Sequence, residues 1–121
     1  TNASNATSYY IVVKHRNSLE TWSASGNSFL INNMSYDFTT SSGQAFGNNE
    51  ILRSSKFCIY SGDQNQDGVI DLDDLVNVSN DANDFLAGYE NSDLNGDSVV
   101  ELSDALICYN NSSKFIIKIV P

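Results

Sequence analysis

The chain has 121 residues, with 15 Asp plus Glu against 6 Lys plus Arg and a net charge of −9 when its one His is neutral. That length makes one compact domain or two very small ones, and six scattered basic residues form no stripe of the kind that neutralises nucleic-acid phosphates. The longest apolar runs, YYIVV at 9–13 and FIIKIV at 115–120, fall far short of the roughly 18 to 20 residues that span a bilayer. The chain opens at Thr1 with neither Met nor a signal peptide, which reads as a processed form or a piece of something longer.

Charge divides the chain near Gly62. Residues 1–62 hold three acids and four bases, whereas residues 63–121 hold twelve acids and two bases, giving balances of +1 and −10. The first half is predicted to be a β-rich domain preceded by a flexible arm, TNASNATS. Short aromatic and β-branched runs predict strands at 9–14, 19–23, 28–31, 35–39 and 57–60, separated by Gly-, Asn- and Ser-rich turns. About sixty residues bury only a modest core, so this half is expected to lean on the second half or on another chain.

The second half contains an internal repeat. The segment from Asp63 aligns with the segment from Asp93 at an offset of 30 without gaps, and eight of 24 positions are identical. The identities are oxygen donors and apolar anchors: Asp63/Asp93, Asn65/Asn95, Asp67/Asp97, Val69/Val99, Leu72/Leu102, Asp74/Asp104, Asn80/Asn110 and Phe85/Phe115. The donors have the spacing of an EF-hand-type calcium loop, which presents oxygens from its first, third, fifth, seventh, ninth and twelfth positions. The first loop supplies Asp63, Asn65, Asp67, the carbonyl of Val69, Asp71 and Asp74. The second supplies Asp93, Asn95, Asp97, the carbonyl of Val99, Glu101 and Asp104. Isolated acidic runs are usually solvated faces, but two such loops in register at a fixed offset point to two calcium ions, since hard oxygen donors offer nothing soft for zinc.

Two features depart from the usual loop. The twelfth position is Asp instead of Glu, so its carboxylate must sit closer to an ion. Ser98 replaces the glycine found as Gly68 in the first loop, which predicts backbone strain and a weaker second site. Ile70 and Val100, at the eighth positions, are expected to pair the two loops back to back. After each loop a helix is predicted, with apolar stripes Leu72, Leu75, Val76 and Leu102, Ala105, Leu106, Tyr109 packing the two helices together.

Two loop-helix units with Asp at the twelfth position resemble a type I dockerin over Gly62 to about Phe115. The string YYIVVKHRNSLETWS, a β-rich stretch and then CIYSGDQNQDGVIDLDD also resembles the C-terminal ends of large secreted bacterial proteins that carry a small β domain before a dockerin-like repeat. The resemblance implies two calcium ions and, as partner, a cohesin-like receptor. At the tenth and eleventh positions, where cellulosomal dockerins typically carry Ser-Thr, this chain has Leu72–Asp73 and Leu102–Ser103.

The expected fold class is α+β: a small β-sheet or partial β-sandwich over residues 1–62, then a dockerin-like pair of loop-helix repeats and a C-terminal strand over 63–121. No catalysis is expected, because His15 is the only His and eight of the fifteen acids are assigned to ions. Cys58 and Cys108 read equally well as a disulfide and as two small buried hydrophobes. The terminal FIIKIVP has no obvious partner in the repeat, so it is expected either to return to the β half or to add to a sheet of another chain. The sequence is thus read as a secreted, extracellular or cell-surface module for protein association. A self-assembling structural subunit, a homo-oligomer built by strand addition and able to form filaments, is the first expectation, and a dockerin on a cohesin-like scaffold the second.

Overall fold

The structure, a computed structural model, describes residues 3–121. Its strands are short, as a chain so rich in turn-forming Ser, Asn and Gly requires. In chain order they are β1 (Ser8–Tyr9), β2 (Val12–His15), β3 (Ser18–Trp22), β4 (Asn27–Ser28), β5 (Ile51–Arg53), β6 (Lys56–Cys58), β7 (Val69–Ile70) and β8 (Ile116–Ile117). Two helices, α1 (Leu72–Asn83) and α2 (Leu102–Ser112), each follow one of the repeated acidic loops. The strands form two-stranded ladders, β1 with β4, β2 with β3, β5 with β6, and β7 with β8. The class is therefore α+β with small sheets and a C-terminal strand. Among the described residues, no helix is long and apolar enough to cross a membrane.

The chain divides into two compact units. One takes the described residues up to Val13, then 21–59 and 119–121; the other takes 14–20 and 60–118. The tip of the β2–β3 hairpin thus belongs with the acidic repeat, although it lies within residues 1–62, read from sequence as the β-rich domain.

In the first unit the expected arm is fastened from Ser4 onward, while Thr1 and Asn2 lie outside the described residues. Ala6 N–H donates to the Phe29 carbonyl at 3.2 Å, and Asn32 N–H donates to Asn5 Oδ1 at 2.9 Å. Segment 35–39 is irregular where a strand was expected, because the Asp37 carboxylate accepts both the Thr39 N–H at 2.8 Å and its hydroxyl at 2.7 Å. Such a local side-chain bond competes with a strand ladder. The same bonds hold the Asp37 carboxyl below its ordinary range. Strand β5 escaped sequence reading since three residues after a polar run carry no alternation. Tyr10 packs at a tilt against Trp22 and edge-to-face against Phe46, with centroids 5.9 and 6.5 Å away. Among the described residues of this unit, Ala45 is the only buried apolar one. Both cysteines are free thiols, Cys58 exposed in this unit and Cys108 buried in the other, so the disulfide reading is not realised.

The second unit buries Leu19, Ile70, Val78, Val100 and Cys108 completely. The two loops do not pair back to back as expected. Instead each eighth-position residue pairs with the segment that follows the other repeat's helix. Ile70 faces Ile116 in the antiparallel β7–β8 ladder, while Val100 N–H donates to the Leu86 carbonyl at 2.8 Å beside an Ala87–Val99 bridge. Leu86 and Ile116 are equivalent at the repeat offset of 30, so the exchange is reciprocal. The C-terminal strand therefore has its partner inside the repeat, and the last residues, 119–121, belong to the first unit.

The helices pack against each other, but of the predicted stripes only Leu75 and Ala105 are even half-buried. The buried helix residues are Asp74 and Val78 on α1 and Asp104, Cys108 and Asn111 on α2. Leu72, Val76, Leu102, Leu106 and Tyr109 are exposed by 47 to 71 %. The buried aspartates displaced the apolar stripe because their loop bonds fix which helix face turns inward.

Glu50 is only 6 % exposed, and among the described residues neither of its buried carboxylate oxygens has a hydrogen-bond partner. Burial pushes this carboxyl from an ordinary 4.5 up to about 7. The folded chain then holds the proton more tightly than the unfolded one, so the contribution to stability is complete below pH 4.5 and is lost as pH rises through 7. At most about 3 kcal/mol is at stake. Glu50→Gln is expected to flatten the fall in melting temperature between pH 5 and about 8; an unchanged slope in the variant would refute the assignment.

Candidate calcium loops

Each loop is held together by its own donors in a pattern that repeats almost bond for bond. The third-position Asn65 Oδ1 accepts the Asp67 N–H at 2.9 Å, and Asn95 Oδ1 accepts the Asp97 N–H at 2.8 Å. The fifth-position Asp67 Oδ1 accepts the Val69 N–H at 2.9 Å, and Asp97 Oδ1 accepts that of Val99 at 3.0 Å. The first-position Asp63 Oδ2 accepts the Gly68 N–H at 3.2 Å, and Asp93 Oδ2 accepts the Ser98 N–H at 3.1 Å.

The twelfth-position aspartates close each loop onto its helix. Asp74 Oδ1 accepts the N–H groups of Gln64 and Asn65 at 2.8 and 3.1 Å, and its Oδ2 accepts that of Asp71 at 3.0 Å. Asp104 takes the equivalent bonds from Leu94, Asn95 and Glu101 at 2.8, 3.0 and 2.9 Å. Both residues are fully buried. The third of these bonds in each set comes from the residue that caps the helix, so loop closure and helix initiation share one carboxylate. The ninth-position residues also face the helix start. Asp71 Oδ1 accepts the Asp73 N–H at 2.9 Å, and Glu101 Oε1 accepts the Ser103 hydroxyl at 3.1 Å.

The loops differ at two places. Gly68 has φ +90 and Ser98 has φ +72, so the second loop keeps a left-handed turn at a residue with a Cβ. Asp93 Oδ1 accepts the Gly96 and Asp97 N–H groups at 2.7 and 3.2 Å, whereas Asp63 Oδ1, in a residue 2 % exposed, is buried with no partner among the described residues. Burial raises the Asp63 carboxyl to about 6, and the charges of Asp74 and Asp67 push it the same way, against the lowering effect of the backbone N–H groups of Gly68 and Asp67. Asp74 is raised as well, first by burial. The first loop therefore gathers mutually repelling carboxylates around an oxygen without a hydrogen-bond partner among the described residues, an arrangement that a cation relieves.

All twelve predicted donors lie in these loops. Their side chains are occupied mainly by loop N–H groups, and among the described residues no three His, Cys, Asp or Glu side chains converge into a group that holds a metal ion as they stand. The donor chemistry nonetheless fits a hard cation: oxygens only, several of them anionic, with Asp63 Oδ1 lacking any other partner.

Sequence reading missed the hairpin tip. Arg16 Nε donates to the Glu90 carbonyl at 3.0 Å and its Nη2 to the Asp93 carbonyl at 2.9 Å, with the guanidinium 4.2 Å from the Tyr89 ring centroid. Asn17 and Leu19 are buried, and Leu19 N–H donates to the Tyr60 carbonyl at 2.8 Å. The signal available was a polar KHRN turn beside a lone Leu, which resembles any hairpin turn. His15 is exposed, its Nδ1 3.0 Å from Asn17 Oδ1. Cys108 donates a weak bond to the Gly62 carbonyl at 3.7 Å, and burial, then the charges of Asp74 and Asp71, push its thiol up to about 12.

No family model, curated protein or solved structure matches this chain.

Removing either closing carboxylate leaves three N–H groups without their acceptor. Asp74→Ala and Asp104→Ala are each expected to cost about 3 kcal/mol in denaturant unfolding. The exposed Asp73→Ala should stay within about 0.5 kcal/mol of the parent; equal losses in all three would contradict the closing role.

Proposed function

We propose that this chain is a calcium-binding, non-catalytic protein-association module that works outside the cell or at its surface, with one ion in each loop. The observation that carries the calcium reading is the buried, unpartnered Asp63 Oδ1 within a carboxylate loop whose bonding pattern is duplicated from Asp93 onward. When bound, calcium supplies positive charge that offsets repulsion among the loop carboxylates. The loop residues hold the ion, Asp74 and Asp104 tie each loop to its helix, and the helices present their outer faces. Extracellular modules use sites of about 0.1 to 1 mM affinity, which suits a secreted or cell-surface location.

The exposed helix faces support association. Phe85 and Phe115 occupy equivalent positions, each just beyond its helix with φ +48 and +53, and they are 72 and 65 % exposed. Large side chains held in left-handed backbone conformation and left in solvent are costly unless they serve contact. Phe85 lines a groove of about 430 Å³ with Ser79, Ala82, Glu101, Leu102 and Ala105. Leu72, Tyr109 and Phe115 mark the equivalent place at the offset of 30. An apolar groove, with exposed Leu72, Tyr109 and Phe115 at the positions equivalent to its lining, suits a structural subunit that self-associates, and repetition of that contact extends into a filament when the geometry does not close. The same faces suit docking of a dockerin-like module onto a cohesin-like receptor. Strand addition through the C-terminus is the less favoured route to self-association, since Ile116–Ile117 is already paired with Val69–Ile70.

Two measurements test this reading. Helical circular dichroism is expected to fall on chelation and to return with calcium, because the empty loops repel themselves; a signal indifferent to chelator contradicts calcium-coupled folding. Light scattering in calcium is expected to show oligomers that Phe85→Gly and Phe115→Gly disperse without lowering the melting temperature. A strictly monomeric calcium form contradicts self-association and leaves receptor docking.

A further inference from the structure

The two loops solve one bonding problem with different residues. In the first loop the carbonyl of Asp63 accepts the side-chain amide of Gln66, the fourth loop residue, at 2.6 Å. The equivalent fourth residue of the second loop is Gly96, which has no side chain. Its backbone has the same left-handed conformation, φ +80 against +62 for Gln66. The carbonyl of Asp93 instead accepts an amide from outside the repeat: Asn17 Nδ2 at 2.8 Å, in a residue 2 % exposed at the hairpin tip. Arg16 Nη2 adds a second bond to the same carbonyl at 2.9 Å.

The hairpin tip is built into this place by its own backbone. Gly62 N–H, one residue before the first loop, donates to the Asn17 carbonyl at 2.8 Å. Gln66 Nε2 also reaches the Ser18 carbonyl at 3.3 Å. Three consecutive tip residues, Arg16 to Ser18, are thus bonded to the first residue of one loop and the fourth residue of the other.

We propose that Asn17 is a positioning residue of the second calcium site, supplying from the hairpin the amide that Gly96 lacks, so that this site is complete only when the hairpin tip is seated. The inference rests on the calcium reading above. Asn17 does not reach the ion; it fixes the carbonyl, and with it the orientation, of the first-position Asp93. Outer partners that orient a metal ligand typically change metal affinity by 10- to 100-fold when removed. The hairpin tip also becomes sensitive to occupancy of the second loop, because binding and positioning are reciprocal.

The test uses the whole chain and calcium alone, with the amide resonances of Gly68 and Ser98 reporting the two sites separately. Asn17→Ala is expected to weaken the second site about tenfold and to leave the first within twofold. Adding Gly96→Gln to Asn17→Ala is expected to restore much of that loss, since a Cβ at Gly96 meets no atom within 4 Å and Gln66 already adopts this backbone conformation. A second site unmoved by Asn17→Ala overturns the inference while leaving calcium binding intact. If Asn17→Ala abolishes both sites by unfolding the repeat, the double variant decides: recovery of the second site supports the inference, and continued loss overturns it. If the parent chain itself binds no calcium at either reporter, the calcium reading fails and this inference with it.

Discussion

Two buried carboxylates, Asp74 and Asp104, organise the acidic half of this protein. Each is fully buried and takes three backbone N–H groups, two from the start of its loop and one from the residue that starts its helix. A buried carboxylate is tolerated only when such bonds offset its lost hydration. Their geometry follows from Asp being shorter than Glu, which holds the loop entrance close against the first helical turn. Helix direction, loop closure and the inward helix face all follow from this contact, and so does the exposure of Leu72, Val76, Leu102, Leu106 and Tyr109.

This constraint explains what could and could not be read from the residues. The loop boundaries, the helices after them and the α+β class were legible, because oxygen donors at fixed spacing followed by periodic apolar residues leave few alternatives. The direction in which the helices face was not legible. Apolar periodicity predicts burial only if nothing else claims the inward face, and here the aspartates do. The pairing of Ile70 with Ile116, instead of with Val100, was hidden for a related reason. Two-residue strands have no alternation to fix a partner, and the reciprocal exchange appears only once the repeats are placed in space. In the first unit the strand expected at 35–39 gave way to the Asp37–Thr39 bonds, a local choice that β propensity does not register.

The +1 and −10 halves of the sequence do not coincide with the two compact units. The charge break falls at Gly62, whereas residues 14–20 belong with the acidic unit and residues 119–121 with the β unit. Leu19, fully buried, and Asn17, bonded to the first residue of the second loop, come from the +1 half. On the calcium reading, four anionic donors per loop make much of the apparent acidity a property of the ion sites: two bound ions would bring the net charge of −9 to about −5.

Equilibrium dialysis of the whole chain against calcium tests this account most directly. Two ions bound per chain, falling to one when Asp67 is replaced by Ala and to one when Asp97 is replaced by Ala, is the predicted result. Absence of saturable binding up to about 10 mM calcium, beyond the affinity range of extracellular sites, would contradict it.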